Sequence, residues 1–334
     1  MKLRFLPALA LACALGAAAV AAQDNKQDAP KVSSGEQKLA EKLNKAKGPE
    51  AKLQAGAEFV KKYPQSPLRK QVVDVVAGEI INTQDEALKA SLAEAFKDIF
   101  TGPGEADQVG PVLLDAYIGG GRNEEAFKAA EGWLAKNPED VDLLRRLATV
   151  ALNASISGNN SFIEVGRQHG AKALALIEAD KRPASVDAAQ WAEYKTRWVP
   201  VINRELGILA FREGDKKAAR TYLTRAAELK NPDPAVYLIL SDLVNEEYDT
   251  LAKEARVAPA AEQPAARKKA EEALDRVIES YARAMAMIEG NAQYAAAREQ
   301  LGKNLETYYK FRHGGSTDGL QQLINKYKPA AGSQ

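Results

Sequence analysis

One stretch limits what this chain can become: Leu113 to Leu144, LLDAYIGGGRNEEAFKAAEGWLAKNPEDVDLL. Its apolar spacing predicts a helix up to the glycines at 119–121, a second helix stopped at Asn137-Pro138, and the start of a third. Two antiparallel helices alone leave their apolar faces in water, so the pair must stack on neighbours, and the chain offers neighbours on both sides. The expected fold class is all-α, an α-solenoid of about seven antiparallel helical hairpins with a period near forty residues. A solenoid of this kind is a surface for holding something else.

Composition agrees. Ala, Leu, Glu and Lys dominate, and all are strong helix formers. Runs of β-branched or aromatic residues of strand length are scarce. The 46 basic and 45 acidic side chains leave a formal charge of +1, with the signs interspersed. No basic stripe of the kind a nucleic-acid partner needs is present.

The first residues read as an export signal. Lys2 and Arg4 precede an apolar core from Phe5 to Val20, and Val20-Ala21-Ala22 offers a small-residue cleavage site. Residues 1–22 are therefore expected to be a signal peptide, which implies a periplasmic or secreted location. The core is short for a membrane anchor, and no other segment is apolar enough to span, so the mature chain is expected to carry no transmembrane segment. The one cysteine, Cys13, lies inside the signal. A lipid anchor there is not expected, because Ala10 stands where Leu is usual. Residues 23–34 are polar and lack aromatics, the composition of a disordered leader. The solenoid is expected over 35–328, and 329–334 as a flexible tail.

Along the solenoid, Ser33 or Ser34 is expected to cap the first helix, and Pro49 to open the second, which Tyr63-Pro64 stops. The third holds Val72, Val73, Val76 and Ile80. Thr83 is the expected cap of the fourth, which carries Leu88, Leu92 and Phe96. Later helices are expected over about Glu139–Ala154 and Phe162–Ala179. Ser185 to Glu213 is periodic throughout, but Pro200 predicts a kink near Trp198 or a break in two. After the turn at Gly214-Asp215, helices are expected at 216–229, from Pro234, at 265–288 and at 291–312. Ser316 or Thr317 should open a last short helix, and Tyr308 to Phe311 should dock it as a C-terminal cap.

These hairpins resemble tetratricopeptide repeats. Leu113, Tyr117, Gly121, Ala126 and Pro138 stand in that family's register, as do Leu206, Gly207, Gly214, Ala219, Leu223 and Ala226. A third, half match covers Ala57 to Pro64. The resemblance implies a tetratricopeptide-like superhelix with ligands on the concave side, bound through first-helix positions. Those positions are Gln108, Asp115 and Ile118 in one unit and Val201, Arg204, Ile208, Phe211 and Arg212 in the other. The variant that clamps a C-terminal carboxylate is not implied, because Asp115 and Ile208 stand where it needs Asn. Arg204 and Arg212 are read first as part of a solvated helix face.

Chemistry is hard to find. His169 and His313 are the only histidines, and neither sits in a metal-ligand spacing. Gly119-Gly120-Gly121 follows a helix and lacks the Lys-Ser/Thr ending of a phosphate loop. Glu279-Ser280, with Gly319-Leu320-Gln321-Gln322 downstream, loosely echoes lytic transglycosylases, whose general acid is a Glu before Ser. Arg276 and Arg283 beside Glu279 instead suggest helix-surface ion pairs. Trp133, Trp191, Trp198, Tyr308, Tyr309 and Phe311 are read first as core between hairpins, and otherwise as the lining of a ligand groove. No cofactor and no catalytic residue is expected. The functional expectation is an exported, non-catalytic adaptor or scaffold that binds a protein or peptide partner in the cell envelope. A cell-wall-active enzyme of lytic-transglycosylase type, or its structural accessory, is the alternative. A purely structural envelope protein is the third reading.

Overall fold

The computed structural model describes residues 32–183 and 185–328. The expected signal peptide, Cys13, most of the leader and the C-terminal tail lie outside the described residues. Those residues are all-helical: fourteen α-helices and three short 3-10 turns, with no strand among them. None of the helices is long and apolar enough to cross a membrane. The chain divides into two compact units, residues 1–79 and 80–334.

In the first unit, α1 (Ser34–Lys45) packs on α2 (Pro49–Lys62), and α3 (Arg69–Ile81) begins. Ser33 and Glu36 form a reciprocal capping box at the start of α1. Phe59, Val72 and Val76 are fully buried.

The second unit holds α4 (Glu86–Ile99), α5 (Gly110–Gly119), α6 (Asn123–Lys136), α7 (Val141–Ile156), α8 (Ile163–Glu178), α9 (Trp191–Glu213) and α10 (Lys216–Glu228). It continues through α11 (Pro234–Val257), α12 (Gln263–Ile288), α13 (Ala295–Arg312) and α14 (Leu320–Lys326). From α4 to α13 each helix packs on the next in sequence, α7 and α11 also touch α9, and α14 returns to α12. Asp140, Asp215 and Asp233 cap α7, α10 and α11 by accepting backbone N–H groups of the first turn. Gly214 takes a left-handed conformation (φ 91°) that ends α9. Gly207 permits the close approach of α9 and α10: a methyl group there would lie 2.5 Å from Leu223 Cγ.

Four expectations need correction. Thr83 does not cap α4; Asp85 does, two residues later, because its carboxylate reaches Leu88 N. Of the kink or break expected at Pro200, the break is absent: α9 runs unbroken from Trp191 to Glu213. Proline removes one N–H, which frees the carbonyl of Thr196, and crowds the preceding turn; two amide side chains add bonds to the neighbouring carbonyls. Asn203 Nδ2 donates to Val199 O and Asn231 Nδ2 to Pro200 O, both at 2.9 Å. The last helix starts at Leu320, since Ser316 Oγ accepts from Asp318 N and closes a turn instead of capping. Phe311 is 72% exposed and docks nothing in α14. Tyr309 does that work, its hydroxyl donating to Asp318 O at 2.8 Å.

Candidate functional site

In the second unit α5, α7, α9 and α11 are the first helices of their pairs. On α7 nearly every side chain is buried except a stripe of Asp142, Arg145, Arg146, Thr149, Asn153 and Ile156. The spacing is helical and places all six on one face. The matching stripe on α9 is Trp198, Val201, Arg204, Ile208 and Phe211, each half-buried, with Arg212 exposed at its end. Because α7 and α9 touch, the two stripes meet along a seam.

Charge and aromatic surface concentrate at one end of that seam. The Arg145 guanidinium lies over the Trp198 ring, 3.5 Å from its centroid, and Arg197 covers the same ring at 4.9 Å. Asp142 accepts from Tyr194 Oη at 2.7 Å and from Ser185 Oγ at 2.8 Å. Burial, with Asp142 beside it, pushes the Tyr194 hydroxyl pKa far above its ordinary value.

Glu205 occupies the middle. Its side chain is 1% exposed. Oε1 accepts from Thr149 Oγ1 at 2.8 Å, and Oε2 has no hydrogen-bond partner. Arg145 Nε and Arg204 Nε are likewise buried without acceptors. Burial raises the Glu205 carboxyl, against the pull of Thr149, Arg204 and Arg145.

The residues expected from the sequence fall at three places. Gln108 lies half-buried in the 3-10 turn Ala106–Val109 ahead of α5. Asp115 on α5 is exposed and pairs with Arg146 of α7 at 2.6 Å, and Ile118 packs beside Leu114 and Leu147. Val201, Arg204, Ile208, Phe211 and Arg212 share the α9 stripe. Arg204 is half-buried and not solvated as expected; Arg212 is exposed as expected, yet tethered. Arg204 Nη1 donates to Asp233 at 3.0 Å, and Arg212 binds both the hydroxyl and the carbonyl of Ser155. Each is held because the adjacent helix end supplies acceptors.

Glu205, Arg145 and Thr149 were not expected. One signal pointed to Glu205: Ile202, Glu205 and Leu209 follow the i, i+3, i+7 spacing of a core face, with a carboxylate where an apolar residue belongs. Trp198 is half-buried and packs against the core that Trp191 and Ile202 help form, with Arg145 and Arg197 on its ring. Trp133 and Trp191 are structural, their indole N–H groups donating to Asp140 and Asp180 at 2.8 and 2.7 Å.

His169 stacks on Phe127 at 6.2 Å, and burial followed by Lys172 lowers its pKa. His313 stacks on Tyr309 at 4.1 Å at the end of α13. Among the described residues no cluster of three or more His, Cys, Asp or Glu is placed to hold a metal ion. Glu279 Oε1 accepts from Tyr327 Oη at 2.6 Å and from Arg283 at 2.8 Å. These bonds, Tyr327 foremost, hold its carboxyl below the ordinary value.

No family model matches this chain, and no curated protein matches it either.

Proposed function

We propose that this chain is an exported, tetratricopeptide-like α-solenoid that binds a protein or peptide partner in the cell envelope and performs no chemistry itself. Helices α5, α7, α9 and α11 would line its concave side. The observation that carries the reading is the α7–α9 seam. It joins a half-exposed tryptophan flanked by two guanidiniums to the half-buried apolar stripe of Val201, Ile208 and Phe211. Trp and Arg are the residues that most often dominate binding energy at interfaces. Helix pairs fix these groups on rigid elements, so little order is lost when a partner docks.

The enzyme alternative rests on Glu279 as a general acid. That role needs a carboxyl whose pKa is raised. Tyr327 and Arg283 act in the opposite sense, which favours the binding reading.

Affinity capture from the envelope fraction tests the proposal. A stoichiometric protein partner, retained by the unmodified chain and lost with Trp198→Ala, is expected. Retention of glycan alone, or a partner indifferent to Trp198, would contradict it.

A further inference from the structure

The middle of the α7–α9 seam holds more hydrogen-bonding groups than bonds. Glu205 Oε2, Arg145 Nε and Arg204 Nε are all buried, and none has a partner. The Glu205 side chain is 1% exposed and that of Arg145 13%. Idle groups of opposite sign in one place can be bonded in more than one way.

Register decides which of them can meet. Thr149 bonds Glu205 across the seam, so these two positions stand level. Arg145 is about one turn before Thr149 on α7, and Trp198 is about two turns before Glu205 on α9. Arg145 meets Trp198 and Thr149 meets Glu205, so the two helices run in the same direction. The Arg145 side chain therefore starts from a point between the indole and the carboxylate, and it lies over the indole, 3.5 Å from the ring centroid.

The charges around Glu205 are few. Arg145 of α7 and Arg204 of α9 act on it. Asp142 of α7 and Asp233 at the start of α11 stand behind those arginines, 3.7 and 3.0 Å from them. Helices α8 and α10 meet this turn of α9 through Gly170, against Leu206, and Leu223, against Gly207, and neither is charged. Arg204 is committed to Asp233. Arg145 is held more loosely, because its long pair is with a carboxylate that already accepts from Tyr194 and Ser185. A charge-assisted hydrogen bond to a buried, unfilled carboxylate outweighs a cation–π contact, whereas a bond to a neutral carboxyl does not.

We propose that the Glu205 proton switches the Trp198 surface. With the carboxyl neutral, Arg145 stays over the indole. When the carboxyl ionises, Arg145 leaves the ring and donates to Oε2, which uncovers the indole face it shields. Burial raises the Glu205 pKa, so the change falls above the ordinary 4.5. The switch needs no partner. Its use in covering and uncovering a docking anchor rests on the binding reading proposed above.

Fluorine NMR of the full chain labelled with 5-fluorotryptophan tests the switch. The Trp198 resonance is the one lost in Trp198→Phe. In the unmodified chain it should shift with a midpoint above pH 4.5, the ordinary carboxyl value. A soluble gadolinium chelate should broaden it more above that midpoint than below, a readout independent of how any variant folds. In Glu205→Gln the resonance should hold its low-pH position throughout, and in Arg145→Gln it should lose the shift. A resonance that does not titrate above pH 4.5, the ordinary value, that titrates unchanged in either variant, or that becomes less accessible as pH rises would overturn the switch. None of these outcomes bears on whether a partner binds, which the capture experiment decides.

Discussion

Thr149 and Glu205 join α7 to α9 through one hydrogen bond of 2.8 Å, and the second carboxylate oxygen of Glu205 is buried with nothing to bind. A buried carboxylate with half its acceptors idle is costly when charged and much less so when protonated. The seam that carries the candidate binding surface thus also holds a buried, half-satisfied carboxylate.

The pH dependence follows from the direction of the Glu205 shift. Burial raises its pKa above the ordinary 4.5. The native chain then holds this proton to a higher pH than the unfolded chain does. The contribution is complete below the ordinary value and is lost as pH rises through the raised one. Glu205→Gln imitates the protonated form. It should be close to neutral in stability at about pH 4 and stabilising by ~1–3 kcal/mol at about pH 8. Urea unfolding at both values checks this, and a difference that does not grow with pH contradicts it.

Gly207 and Gly132 should respond to alanine in opposite directions. At Gly207 a methyl group would meet Leu223 Cγ at 2.5 Å and its backbone N at 3.1 Å, which backbone movement alone can relieve. Overpacking of ~1–3 kcal/mol exceeds or cancels the helix-propensity gain of roughly 1 kcal/mol. On α6, Gly132 is exposed with no neighbour within 4 Å, so the same change should stabilise by about 0.5–1 kcal/mol. Thermal unfolding of the two variants decides; equal shifts would mean α9 and α10 are not in close contact.

Asn231 should be expensive to remove. It is 2% exposed, its Nδ2 donates to Pro200 O, and its Oδ1 accepts from Asp233 N. Asn231→Ala removes both bonds and should cost ~1–3 kcal/mol, from two hydrogen bonds at ~0.5–1.5 each. Urea unfolding of Asn231→Ala checks this, and a loss under about 0.5 kcal/mol would remove Asn231 from its role beside the proline.

Most helices were legible because their determinants are local. Leu113, Tyr117, Ala126 and Ala130 mark buried faces by spacing alone, and Pro138 or Gly214 ends a helix wherever it stands. What failed was whatever needed a residue from elsewhere. Pro200 predicts a kink or a break, yet α9 is continuous there, and Asn231, thirty-one residues on, bonds its carbonyl. Ser316 resembles a cap until its hydroxyl closes a turn with Asp318. Arg204 looks like a solvent-facing cation until Asp233 arrives from the next helix. The candidate site was half legible for the same reason. Periodicity located the α9 stripe, but α7 supplies Arg145 and Thr149, and only packing brings them to Trp198 and Glu205.

Trp198 should behave as an anchor for the partner and not for the fold. It is half-exposed, and its contacts with Arg145 and Arg197 contribute roughly 0.5–1 kcal/mol each. Trp198→Ala should therefore lower stability by about 1–2 kcal/mol, yet weaken capture of the envelope partner by more than about 2 kcal/mol. Equal losses in Trp198→Ala and Trp133→Ala would place the binding surface elsewhere.

Hydrogen exchange of the full chain, with and without the captured envelope partner, reads the binding face directly. Protection gathered on α7 and α9, strongest around Arg145 and Trp198, is the predicted result. Protection confined to the even-numbered helices, or no change along α9, would contradict a solenoid that binds through the first helices of its hairpins.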